Sequence, residues 1–189
     1  ARTRYLHPFI YKELGNVDLL ETLNYGLIPS IYFSDSKEED LKSYVGNYIA
    51  EEVALEGAHR NIPAFSRFLE IAALSNGQII NYTNIANDAQ IPRTTIHEYF
   101  QILRDTLLAY DVTPYKHTIK RKPIMTNKFY FFDCGVARIL QQRNIINSKS
   151  KDFGDAFETY IFHELNSYVD YNNSGKINFW RSTSQHEVD

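Results

Sequence analysis

The sequence predicts a mainly α-helical chain with α+β elements, built around a winged helix-turn-helix. Three observations lead there. Residues 81–133 read as a short helix, a three-residue turn, a longer helix and a basic hairpin, which is the element order of that motif. Apolar residues recur at helical spacings in other stretches, notably at Leu41, Tyr44, Val45, Tyr48, Ile49 and Val53, and at Phe65, Phe68, Leu69, Ala72 and Ala73. Near the end, residues 176–181 alternate like a strand and are followed by turn residues, Ser182 to Gln185, that predict a hairpin returning at His186.

Taken in order, the chain opens with an apolar, proline-marked stretch over residues 6–14. A short helix is expected from Asp18, stopped by Gly26, and Pro29 and Ser30 mark a connection. A helix then starts at Ser36 or Asp40, where an acidic first turn complements the helix dipole. Asn61, Ile62 and Pro63 separate it from the next helix, which Asn76 and Gly77 stop. In residues 81–90, Asn81 or Thr83 caps a helix burying Ile85, Ala86 and Ala89. Ile91, Pro92 and Arg93 end it, because proline cannot continue one helix but suits the first turn of another. The following helix carries an apolar stripe at Ile96, Tyr99, Phe100, Leu103 and Leu107. Residues 107–113 and 127–133 are rich in aromatic and β-branched types and predict two strands, with residues 114–123 as the wing. After Asp133 a short helix over 135–142 and a polar loop over 144–152 are expected. Gly154 then opens a long helix whose apolar positions Phe157, Ile161, Leu165 and Val169 recur every four residues, with Glu158 and His163 off that line. Trp180 is expected to be a strand residue facing this helix.

The helix after Pro92 has a second face, beginning with Arg93, Thr94, Thr95, His97 and Glu98. The first four are residue types that contact phosphates or base edges from a major groove, while Glu98 works against such contact. Between Val112 and Phe132 lie Lys116, Lys120, Arg121, Lys122 and Lys128 with no Asp or Glu, although the whole chain has a formal charge of −3. This localised positive charge beside a recognition-type helix is the electrostatic pattern of a double-stranded DNA contact. The alternative is a solvated hairpin whose lysines keep an edge soluble, in a module that packs against protein.

At 189 residues and 43% hydrophobic content the chain is long enough for a real core in one domain or two. Its 14 Tyr and 12 Phe are spread evenly, which reads as core and interface packing. The single cysteine, Cys134, excludes an internal disulfide and cannot build a zinc site alone, so a reducing cytoplasm is the expected compartment. No apolar run reaches membrane-spanning length and no signal pattern opens the chain, so neither membrane insertion nor secretion is expected. His97, His117, His163 and His186 are scattered without the i, i+4 pairing of a zinc helix, and each reads as a surface or half-buried residue; no metal ligand set is predicted. No Gly-x-Ser-x-Gly elbow supports acyl transfer. The only methionine is Met125, residue 1 is alanine and the chain stops just after an apparent strand and turn, so it is expected to be a piece of something larger.

An ordered set of motifs carries a family resemblance: Leu6-His-Pro-Phe-Ile-Tyr-Lys-Glu-Leu14, the stretch from Ala64 to Gly77, Thr94-Thr-Ile-His-Glu-Tyr99, Lys128-Phe-Tyr-Phe-Phe-Asp-Cys-Gly-Val136, and Phe179-Trp-Arg-Ser through Glu187-Val-Asp189. Together they resemble the C-terminal half of a bacterial and archaeal family of AAA-type (P-loop) ATPases. In that family an ATPase module precedes a winged helix and a C-terminal domain similar to PD-(D/E)XK nucleases. The resemblance implies a lid-like helical segment over residues 1–60, the tail of the ATPase module. A winged helix-turn-helix follows over 61–133, then a truncated α/β nuclease-like fragment over 134–189. It also implies ATP and Mg²⁺ for the full-length parent, but no cofactor for this chain: none of its eight glycines stands in the Gly-x-x-x-x-Gly-Lys-Ser/Thr pattern that cradles phosphates.

Nucleases of that type gather Mg²⁺ with clustered carboxylates that activate a water, and a lysine supports the developing charge. By the family pattern Glu158 matches the helical acid and Asp189 the metal-binding aspartate. The strand that should supply Glu-x-Lys is absent, so Glu158, Glu187 and Asp189 are expected to form an incomplete or vestigial site. The plainer readings are a surface carboxylate for Glu158 and a polar hairpin end for Glu187 and Asp189. The leading expectation is therefore a non-catalytic regulatory and interaction segment whose partners are double-stranded DNA and the absent ATPase module. The alternatives are a fragment of a Mg-dependent nuclease, and a docking module for a protein partner or a second copy of the chain.

Overall fold

The computed structural model describes residues 5–52, 61–115, 126–181 and 187–188. It is a mixed α/β molecule in which helices pack on both faces of a small twisted sheet. The N-terminal third holds α1 (Tyr11–Leu14), α2 (Leu19–Tyr25), α3 (Pro29–Tyr32) and α4 (Lys37–Ser43). Asp18 caps α2 by accepting from the Glu21 amide, and Gly26 ends it at φ 72°, a conformation that glycine adopts without Cβ strain. Helix α4 carries Glu38, Glu39 and Asp40 in its first turn, as the acidic run predicts. It then widens into a π-helical segment, Tyr44–Glu52, rather than continuing as one α-helix. Leu41 and Val45 face the core, while Tyr48 stacks on Tyr44 at the surface.

Helices α5 (Ile62–Leu74), α6 (Tyr82–Ala89) and α7 (Arg93–Asp105) follow the sequence pattern closely. Asn61 caps α5 and Asn81 caps α6, each through its side-chain oxygen. Phe65, Phe68, Leu69, Ala72 and Ala73 of α5, Ile85, Ala86 and Ala89 of α6, and Ile96, Tyr99, Phe100 and Leu103 of α7 bury together. Their rings meet edge to face, with Phe65 and Tyr99 at 5.0 Å and Phe68 and Phe100 at 5.1 Å. Leu107, expected as the last position of the α7 stripe, instead lies beyond the helix at φ 61° and remains 37% exposed. The chain has already turned toward the sheet there, and Leu108 takes the buried place.

Strand β1 (Ala109–Pro114) pairs antiparallel with β2 (Lys128–Phe131). The sheet order is β2-β1-β3-β4, where β3 (Asn178–Arg181) runs parallel to β1, and β4 (Glu187–Val188) returns antiparallel to β3. All four residues of β2 are buried because both faces of the sheet are covered. Period-two alternation sends Phe129 and Phe131 toward α5–α7, and Lys128 and Tyr130 toward the other side. There lies α9 (Phe153–Asn172), which follows the short α8 (Cys134–Leu140), and Tyr130 stacks on Phe162 at 4.3 Å. Trp180, expected to face the last helix, is 42% exposed; its neighbour Phe179 takes the inward position at 1%, because the strand alternates in the opposite phase. Helix α9 buries Ala156, Thr159, Tyr160, Phe162, His163 and Ser167, so its four-residue apolar line at Phe157, Ile161 and Leu165 stays largely at the surface.

The segments 1–60, 61–133 and 134–189 interlock. The His7 ring bonds Asp170 at 2.8 Å, the Leu27 amide donates to Asp133 at 2.7 Å, and β3 completes a sheet begun by β1.

Candidate functional site

The residues singled out by sequence fall in two places. On α7, Arg93, Thr94 and His97 are exposed and Thr95 half-buried, outside the stripe that packs into the core: Thr94 lies opposite it, and Arg93, Thr95 and His97 on its flanks. Pro92 is the N-cap residue of the helix, its fixed φ leading the chain into the first turn at Arg93. The turn from α6 is a left-handed cap: Gln90 at φ 56° lets its own amide reach the Asn87 carbonyl at 3.2 Å and the Ile91 amide reach Ala86 at 3.0 Å. His97 lies flat on the Tyr82 ring of α6, centroids 3.8 Å apart. The Tyr82 hydroxyl accepts from Arg104 at 3.2 Å, and Arg104 also bonds Asp111 of β1 at 3.0 Å. Burial works against the charge of Arg104, but Asp111 and Tyr82 outweigh it and hold the guanidinium pKa above its ordinary value. Neither Tyr82 nor this Arg104 chain was evident from sequence, because the contacts join three different elements. Lys116, Lys120, Arg121 and Lys122, which sequence assigned to a wing, lie outside the described residues together with His117.

The second place is an open polar cleft of about 440 Å³ between the sheet and the start of α9, lined by Asn76, Gly77, Gln78, Ile79, Lys128, Asp155, Glu158 and Arg181. Glu158 accepts from the Tyr130 hydroxyl at 2.5 Å and lies 3.9 Å from the ammonium of Lys128, which is itself only 4% exposed. Lys128 and Tyr130 reach the same carboxylate because residues two apart on a strand share a face. Lys128, which sequence counted in the basic stretch between Val112 and Phe132, is therefore turned inward as a partner of the helical acid. Among the described residues, no group of three or more His, Cys, Asp or Glu comes together as a metal site. Asp189 and the surroundings of the Glu187 side chain lie outside the described residues, as does His186. His163, expected at or near the surface, is buried, its Nε2 2.9 Å from the Phe9 carbonyl.

A third cluster escaped the sequence reading. Asp133 caps α8 through the Val136 amide at 3.0 Å while holding the Leu27 amide at 2.7 Å. Burial pushes its carboxyl above the ordinary aspartate range, against the pull of those amides. Arg138, 2% exposed, donates to the Asn24 carbonyl at 2.7 Å and pairs with Glu38. Asn24 in turn accepts from the Ile146 amide at 2.7 Å and donates to the Ile146 carbonyl at 2.9 Å. The available signal was the Asp-Cys-Gly run beginning at Asp133: an N-cap aspartate followed by a glycine over which another backbone passes. An added Cβ on Gly135 would lie 2.4 Å from the Tyr25 carbonyl carbon.

Comparison with known proteins matches residues 16–147 to a family described as a domain of unknown function, DUF8612. That span covers well over half of the chain. The chain belongs to the DUF8612 family. The DUF8612 span includes the exposed face of α7, the β1–β2 hairpin and the Asp133–Arg138 cluster, and ends before Glu158. Two relatives, Uncharacterized protein Mb2031c of Mycobacterium bovis and Uncharacterized protein Rv2008c of Mycobacterium tuberculosis, are each 22% identical over 170 residues. The match covers 87% of this chain and 37% of each relative, so the chain spans little more than a third of their length. No solved structure matches it. Among the described residues, no helix is long and apolar enough to cross a membrane.

Proposed function

We propose that this chain is a non-catalytic regulatory and interaction segment of an AAA-type ATPase, in which α5–α7 and the β1–β2 hairpin act as a winged helix that contacts duplex DNA. The observation that carries the reading is the division of α7 into two faces. Ile96, Tyr99, Phe100 and Leu103 are fully committed to the core, leaving Arg93, Thr94 and His97 at the exposed start of the helix. Helix N-termini and such side chains are suited to phosphate oxygens and base edges. The sequence between β1 and β2 adds Lys116, Lys120, Arg121 and Lys122 without an intervening acid, which supplies the sequence-independent attraction that duplex binding requires. The cleft at Glu158 supports a structural role better than a nuclease one, since its carboxylate is already engaged by Tyr130 and approached by Lys128.

The test is duplex binding by the chain across a salt series, beside the variant Lys120→Glu/Arg121→Glu/Lys122→Glu. Micromolar binding is expected, with log affinity falling against log salt at a slope of about −0.9 per phosphate neutralised, and the triple variant should lose it. No wild-type binding at low salt would overturn the DNA reading in favour of protein docking. Magnesium-dependent cleavage by a longer chain, abolished by Glu158→Ala, would instead establish the nuclease.

A further inference from the structure

Asp111 Oδ2 is a meeting point. It accepts from Arg104 Nε of α7 at 3.0 Å and from Asn127 Nδ2, just before β2, at 2.9 Å. Asp111 itself belongs to β1, so the Asn127 bond ties β1 to the residue that enters β2, toward the loop-side end of the strand pair. Arg104 spends its second donor on the Tyr82 hydroxyl at 3.2 Å, and the Tyr82 ring carries His97 stacked upon it at 3.8 Å. The guanidinium also lies 5.7 Å from the Phe100 ring centroid, on the flank of the core. One arginine thus connects the β1–β2 pair, α7 and the first residue of α6.

Its chemistry suits holding better than binding. A planar guanidinium donates in two fixed directions at once, which a lysine ammonium on a flexible stem does not reproduce. The side chains of Arg104 and Asp111 are each 24% exposed, so as an isolated pair they would add little stability, whereas a network that fixes directions orients the groups at its ends. Those ends are His97 on the exposed face of α7 and the two strands between which the basic residues lie in sequence.

We propose that Arg104 is a positioning residue for duplex contact: it fixes the orientation of the β1–β2 pair relative to the exposed face of α7, and touches no phosphate itself. This rests on the DNA reading above. Two surfaces that must meet one duplex together lose affinity when they can rock independently, because their relative orientation must then be fixed on binding.

The test compares wild type, Arg104→Lys and Arg104→Met in the duplex salt series, with fold checked by circular dichroism. It also measures the spin-label distance between Gln101→Cys and Thr126→Cys in the free protein, with and without Arg104→Met. Both Arg104 variants should bind about tenfold more weakly with an unchanged salt slope, and Arg104→Met should broaden a narrow distance distribution. Full affinity in Arg104→Lys, or a slope reduced by about one in Arg104→Met, would make Arg104 a simple charge or a phosphate contact and overturn the proposal. An unchanged distance distribution would overturn it equally. If wild type binds no duplex, the DNA reading fails together with the positioning role built on it, and the distance distribution alone decides whether Arg104 holds the hairpin.

Discussion

Arg138 shows what one side chain does when it is taken out of water. At 2% exposure its guanidinium bonds the Asn24 and Arg143 carbonyls and pairs with Glu38. Leaving such a charge without partners costs several kcal/mol, so its partners are held as firmly as it is. Glu38 feels two opposed effects: burial pushes its carboxyl up, but Arg138 and Lys42 outweigh that and hold it below the ordinary value of 4.5. A folded pKa below the unfolded one contributes stability that is fully present above the unfolded value and is lost as pH falls through the folded value. Urea midpoints of the wild type should therefore drop as pH falls below about 4.5, and Glu38→Gln should flatten that part of the profile. Asp133 acts with the opposite sign, because burial raises it, so comparing variant with wild type isolates the Glu38 contribution. An unchanged profile in Glu38→Gln would show that Arg138 does not depend on this partner.

Among the elements, the joint between α6 and α7 has the clearest local logic. The Gln90 and Ile91 amides satisfy carbonyls at the end of α6, and the geometry requires a left-handed residue between the helices. Gln90 pays Cβ strain for a conformation that glycine adopts freely. It is exposed, so Gln90→Gly should raise stability by about 1 kcal/mol, read as a higher urea midpoint with an unchanged slope; a lower midpoint would show that the Gln90 side chain contributes more than the strain costs. At the end of α5 the Asn76–Gly77 stop signal does more than end a helix. Asn76 accepts from the Phe131 amide at 2.8 Å and donates to Thr159 at 2.8 Å, while the Gly77 amide reaches the Phe129 carbonyl at 2.8 Å. The outer edge of β2 is thereby covered, which removes a row of groups able to pair with another chain.

For the whole molecule, the parallel pairing of β1 with β3 is the decisive connection. It places the last part of the sequence beside a strand that follows α7, and α9 closes over the sheet with Phe162, Tyr130, Val112 and Phe179 in one cluster. The N-terminal stretch is fastened to the same helix: the Tyr11 amide donates to Glu164 at 2.8 Å, and the His7 amide donates to the Tyr171 hydroxyl at 3.2 Å. The three segments should therefore unfold together. Trp180, the single tryptophan, reports on β3, and its fluorescence transition in urea should coincide with loss of helical circular dichroism within error. An earlier fluorescence transition would show that residues 134–189 separate as an independent unit.

The sequence by itself determined the helices that bury a periodic stripe, their caps and stops, and the pairing of β1 with β2. Each of these depends on residues close together in the chain, where spacing and capping chemistry act directly. It also carried the pattern of α7, with Arg93, Thr94, Thr95 and His97 left outside the buried stripe. Tertiary structure alone decided the phase of β3, which turned Phe179 inward and Trp180 outward, and the burial of His163, because both depend on what packs against them. It alone turned Lys128 from one charge of a basic stretch into a partner of Glu158, 30 positions away, and set Arg104 between Tyr82 and Asp111. Side chains distant in sequence meet only after the backbone has placed them, and local spacing holds no record of that meeting.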